Sequence, residues 1–146
     1  MIANERQYRI TKAWVEKFSD SARQFAETSD TPDPLIRAAM AAQYESQVEE
    51  LQHEIDEYEA LRSGRVTTLD VDSLTALPDA LIQARIAAGF TQKELAARLG
   101  LKEQQIQRYE ATHYSGASLD RVQAVVDALG VHIHEHLILP PPEKAS

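Results

Sequence analysis

The chain has 146 residues, 43% of them hydrophobic, a net charge of -8 and no cysteine. That length suits one ordinary domain, or one compact domain with an elongated appendage, and the apolar fraction argues against wholesale disorder. Disulfides, thiolate metal sites and cysteine nucleophiles are excluded. The opening stretch MIANERQYRITKAW is polar and lacks the apolar stretch of a secretory signal, and no run of about 18 apolar residues occurs. A soluble, cytoplasmic protein without a membrane partner is expected.

Residues 1–62 are expected to form an acidic helical hairpin. Ile10, Trp14, Phe18, Ala22 and Phe25 recur at steps of three or four, which marks one face of a helix. Asp30, Pro32, Asp33 and Pro34 break the chain. Tyr44, Val48, Leu51, Ile55 and Tyr58 then alternate steps of four and three, the seam of a coiled coil. The hairpin is expected to close within the chain, Trp14 and Phe18 meeting Val48, Leu51 and Ile55, with Ser63 and Gly64 ending it. Residues 1–76 carry 8 Lys/Arg and 15 Asp/Glu. Much of that acid sits at Glu45, Glu49, Glu50, Glu54, Asp56, Glu57 and Glu59, in a stretch without Lys or Arg. It is either a solvated outer face or a docking surface for a basic protein, Glu45, Glu49, Glu50, Glu54 and Glu57 being the candidates. Facing DNA is disfavoured by phosphate repulsion.

A linker over 63–76 holds a predicted strand at 66–71, since Val66, Thr67, Thr68, Leu69 and Val71 are mostly β-branched or aliphatic. A second predicted strand, 132–139, precedes the prolines of a flexible tail over 140–146. Lone strands leave backbone groups unpaired, so these two are expected to pair, within one chain or across a dimer.

Between them lies a domain over 77–131 with 6 Lys/Arg and 6 Asp/Glu, neutral overall. Pro78 and Asp79 suit a first helical turn, and Gly89 a stop. Thr91-Gln92-Lys93-Glu94 is a capping box that opens a second helix. Gly100-Leu101 makes a tight turn into a third, over Lys102 to Glu110, with Ile106 and Tyr109 facing inward. Ser118 caps a fourth, whose buried stripe is Leu119, Val122, Val125, Val126 and Leu129 and whose stop is Gly130. A capped short helix, a glycine turn and a second short helix with a polar outer face make a helix-turn-helix.

The stretch from Phe90 to Glu110 closely resembles the XRE (Cro/repressor-type) helix-turn-helix family, with Gln92, Leu95, Ala96, Leu99, Gly100, Ile106 and Glu110 in order. The resemblance implies a lambda-repressor-like helix-turn-helix domain; with the antiparallel coiled-coil hairpin and the two flanking short strands read from the residues above, the expected fold is mainly α. It also implies that the third helix lies in the major groove of double-stranded DNA, with Glu103, Gln104, Gln105 and Arg108 reading bases. Thr91, Gln92, Lys93, Lys102, Gln107, His113 and Tyr114 would contact phosphates. Lys102 departs from the small hydroxyl residue usual at this cap. Arg85 and Glu110 match positions that form an internal ion pair, a structural role. The layout as a whole resembles HigA-type antitoxins, which implies a homodimeric repressor on a palindromic operator and a basic toxin as partner. A stand-alone regulator that uses the hairpin only to dimerise is the alternative.

No enzyme is expected and no cofactor. His132, His134 and His136 share one face of the predicted strand and could in principle bind zinc or nickel, but no further ligand is placed to complete a site. His53 among its glutamates reads as a solvated helix exterior. No H-E-x-x-H, nucleophile elbow or phosphate-binding glycine loop occurs.

Overall fold

A computed structural model describes residues 1–27 and 33–143. Asp30 and Pro32, read above as chain breakers, lie outside the described residues, as does the end of the tail, 144–146. Among the described residues six helices follow in order: α1 (Glu5–Glu27), α2 (Pro34–Arg62), α3 (Leu77–Ala87), α4 (Gln92–Leu99), α5 (Glu103–Ala111) and α6 (Leu119–Leu129). A single 3-10 turn over Leu74–Ala76 leads into α3.

Helices α1 and α2 pack antiparallel along much of their length. Asn4 caps α1, its Oδ1 accepting the Gln7 N–H at 2.9 Å, and Asp33 caps α2, its Oδ1 accepting the Leu35 N–H at 2.9 Å. Tyr8, Thr11, Val15, Phe18, Ala22 and Phe25 are the buried or half-buried side of α1. Their steps of three and four make a regular heptad seam. It differs from the expected face at the N-terminal half: Ile10 and Trp14 remain 47% and 42% exposed. The bulkiest side chains drew the expectation, but a 3.5-residue period selects Tyr8, Thr11 and Val15. Rings join the two helices along the seam, Tyr8 with Tyr58 at 5.1 Å, and Phe18 and Phe25 with Tyr44 at 5.8 and 5.6 Å.

The hairpin and the four short helices share one apolar core. Ile55, Tyr58 and Leu61 of α2 cluster with Leu81, Ile82 and Ile86 of α3, and through them with Leu95, Ile106 and Val125. Ile2, ahead of α1, is 3% exposed in the same cluster. Burying such a side chain is worth roughly 1.5–3 kcal/mol, so residue 2 is a structural anchor.

Among the described residues there is no β-strand, which corrects the expectation of two flanking strands. Residues 66–71 and 132–139 run without regular structure and without hydrogen bonds between them. Both have the composition of a strand, but strand structure is a property of a ladder, and neither meets a partner edge in this chain. Leu137, Ile138 and Leu139 are 76%, 93% and 79% exposed, so no sheet face covers them.

Candidate nucleic-acid interface

Helix α4 starts where Thr91 Oγ1 accepts the Glu94 N–H at 3.1 Å and the Thr91 N–H donates to Glu94 Oε2 at 2.8 Å. Both halves of the capping box are present, so the helix entry is fixed by the sequence itself. Helix α4 stops at Gly100, whose φ of 66° lies in the left-handed region. The Leu101 N–H returns to the Ala96 carbonyl at 2.8 Å, which closes the turn. Ala96 is 1% exposed where α4 and α5 cross. A larger side chain there would push the two helices apart.

Lys102 has no side-chain acceptor to cap α5. Instead its own N–H donates to Gln105 Oε1 at 2.9 Å, so the helix is closed from its third residue. Ile106, 0% exposed, and Glu110, 4% exposed, lie one helical turn apart and anchor the inner side of α5. Glu103, Gln104, Gln107 and Arg108 are therefore carried on the outside, and all are exposed. Among the described residues, the side chains of Gln104 and Arg108 have no hydrogen-bond or ion-pair partner. Two short helices joined by a glycine turn thus present an unengaged amide and a guanidinium one turn apart. Residues 81–136 match the helix-turn-helix family model.

They form a helix-turn-helix domain of the XRE type. No curated protein and no solved structure is significantly similar to the chain. A helix-turn-helix domain of this kind binds DNA, and the protein is read as a DNA-binding transcription regulator. Among the described residues, no helix is long and apolar enough to cross a membrane.

The structure distributes the remaining expected contacts around the domain in different states. Thr91, Lys93 and Lys102 are exposed beside α4 and α5. Gln107 is exposed too, its Nε2 3.4 Å from Glu103 Oε1. His113 is exposed, with a φ of 51°, and its Nδ1 lies 2.6 Å from Asp79 Oδ1. Tyr114, expected on a phosphate, is 6% exposed and stacks on Tyr109 with ring centroids 5.6 Å apart. Its phenol is pushed up to about 12, chiefly by burial, with Glu110 adding to the effect. Gln92, also expected on a phosphate, turns inward and is 7% exposed. Its Nε2 faces the Glu110 carboxylate at 3.5 Å, and its Oε1 receives Asn4 Nδ2 at 3.4 Å.

Arg85 and Glu110 are buried together, with Arg85 Nη2 2.6 Å from Glu110 Oε1. Arg85 Nε adds bonds of 2.8 and 3.1 Å to the same carboxylate. Burial pushes the Glu110 carboxyl up, and Arg85 pulls it back. The guanidinium is otherwise filled by backbone: Nη1 donates to the Phe90 carbonyl at 2.7 Å, and Nη2 to the carbonyl of Ala3. The last bond spans 82 residues and straps the chain's opening segment across the domain. Ile2, Ala3 and Asn4 were absent from the sequence-based expectation. Asn4 followed by Gln7 is a signature of a capped helix start, but nothing local to it announces a long-range partner.

An open cleft of about 1040 Å³ runs between the first turn of α1, the C-terminal half of α3, the start of α4 and α5. Among the described residues no group of three or more His, Cys, Asp or Glu could hold a metal ion. His132, His134 and His136 are exposed, in a segment without regular structure.

Proposed function

We propose that this protein is a sequence-specific transcriptional repressor that works as a homodimer on a palindromic operator. The observation that carries the reading is the exposure of Gln104 and Arg108, unengaged, on a helix delivered by a glycine turn. In a major groove, Arg pairs with guanine, Gln with adenine, and Glu103 accepts from the cytosine amino group. Gln105 would read through its Nε2, since its oxygen closes the helix. Thr91, Lys93, Lys102, Gln107 and His113 would hold phosphates. One domain spans only a half-site, which calls for two copies. The test is a shift assay on the duplex spanning its own promoter. Arg108→Ala and Gln104→Ala should each lose about 1–3 kcal/mol of specific binding. Wild-type affinity in both variants rejects the placement of α5 in the groove.

We further propose that the protein neutralises a basic toxin through the hairpin, as the antitoxin of a type II pair. The support is the segregation of charge: Glu45, Glu49, Glu50 and Glu57 are exposed on α2, and Glu54 is half-buried. They lie in two stripes flanking the seam, where His53 Nε2 is 3.2 Å from Glu57 and the Met1 ammonium 3.5 Å from Glu54. Co-purification of the native partner tests this, as does rescue by this chain of a lethal basic protein from the neighbouring reading frame. The alternative, a stand-alone regulator, is favoured by the single core that welds the hairpin to the domain, since such a hairpin is already used structurally. Absence of any lethal neighbouring product selects it.

A further inference from the structure

We infer that the hairpin is part of the DNA interface, with Arg6 on the first turn of α1 holding a backbone phosphate; the inference rests on the repressor reading. Two observations converge on this position. The first is the burial of Gln92. The start of α4 is a natural phosphate site, but here Asn4 covers the Gln92 side chain, its Nδ2 3.4 Å from Gln92 Oε1. Whatever phosphate approaches this end of α4 therefore meets α1 as well. The second is the identity of what α1 presents there. Arg6 is exposed and lines the cleft of about 1040 Å³ together with Thr91, Glu103, Gln107 and His113. Among the described residues its guanidinium has no partner. Its acidic neighbour Glu5 is already paired with Arg62 at 2.8 Å.

The charge of the domain explains why a cation from outside it is needed. Of its six Lys/Arg, Arg85 is consumed by Glu110, and Arg98 lies over the Phe90 ring at 4.1 Å and donates to the Ala128 carbonyl at 3.2 Å. Only Lys93, Lys102 and Arg108 remain fully exposed, with Arg121 half-buried. Affinity for duplex DNA rises with the number of phosphates neutralised, so a neutral domain gains from each added cation. Rigidity makes Arg6 effective in that role. Ile2 in the core and Ala3 on Arg85 fix the start of α1 relative to α5, so the backbone that carries Arg6 is already in place before DNA binds.

The test uses the full chain, its own promoter duplex, and calf-thymus DNA as a sequence-independent duplex. Affinity is measured against salt for wild type, Arg6→Gln, Arg6→Lys and Arg108→Ala, with thermal melts of each free protein. Arg6→Gln is expected to weaken binding to both duplexes several-fold and to lower the salt slope by about 2, one phosphate per protomer of the dimer, with an unchanged melt. Arg6→Lys should keep the slope. Arg108→Ala should weaken the promoter complex alone. If both Arg6 variants match wild type while Arg108→Ala loses the promoter, the inference is overturned and the repressor reading stands. If Arg108→Ala also matches wild type on the promoter, the repressor reading falls and takes the inference with it.

Discussion

Arg85 and Glu110 form a buried pair that joins α3 to α5, and the guanidinium also holds the chain's opening segment through Ala3. Removing one partner of such a pair leaves an uncompensated buried charge. Glu110→Ala is expected to cost about 3–5 kcal/mol, read as a lower denaturant midpoint. Replacing both residues by leucine should recover only part of the loss, because the carbonyls of Ala3 and Phe90 would then lack their donor.

Ile2 tests whether the hairpin and the domain share one core. Ile2→Ala should destabilise the whole protein by about 2–5 kcal/mol, in a single transition. Two separable transitions, with the second unaffected, would show that the domain folds without the strap.

Tyr114 gives a pH signature. Its folded value of about 12 lies above the ordinary 10.0. Between these values the folded protein keeps a proton that the unfolded chain releases. The contribution is therefore complete below pH 10 and is lost as pH rises towards 12. The loss should reach on the order of 2 kcal/mol. Burial raises Tyr58 as well, which acts in the same direction. Tyr114→Phe should flatten the alkaline decline, followed by circular dichroism beside tyrosinate absorbance.

Gln105 separates helix closure from base reading. Its oxygen accepts the Lys102 N–H, so Gln105→Ala should cost about 0.5–2 kcal/mol of stability. Base preference in a randomised-site selection should change far less than for Arg108→Ala. A preference left wholly unchanged, with stability lowered, would assign Gln105 to helix closure alone and remove it from the readers.

What was legible in the sequence is what local chemistry dictates. Thr91 with Glu94, Gly100, Ser118 and Gly130 mark helix ends by side-chain capping and left-handed backbone, and each does so here. The outward row of α5 follows from Ile106 and Glu110 being inside. What was not legible depends on distant partners. Val66–Val71 and His132–Leu139 have strand composition, but no periodicity states whether an edge is available. Ile2 is a single apolar residue in a polar stretch, with no pattern to place it. Gln92 looks like any exposed first-turn residue until Asn4 closes over it. Only the N-terminal half of the α1 seam departs from expectation, because large side chains at 10 and 14 outweigh the regular spacing of Tyr8, Thr11 and Val15.

Asn4 and Gln92 are 88 residues apart, and Ala3 and Arg85 are 82 apart. On the ribosome, the opening residues must therefore wait for much of the chain to be made before they find their seats. Contacts of such sequence separation form late and slow folding. A nascent chain stalled before residue 92 would hold a paired hairpin and an empty berth, with Ile2 open to chaperones.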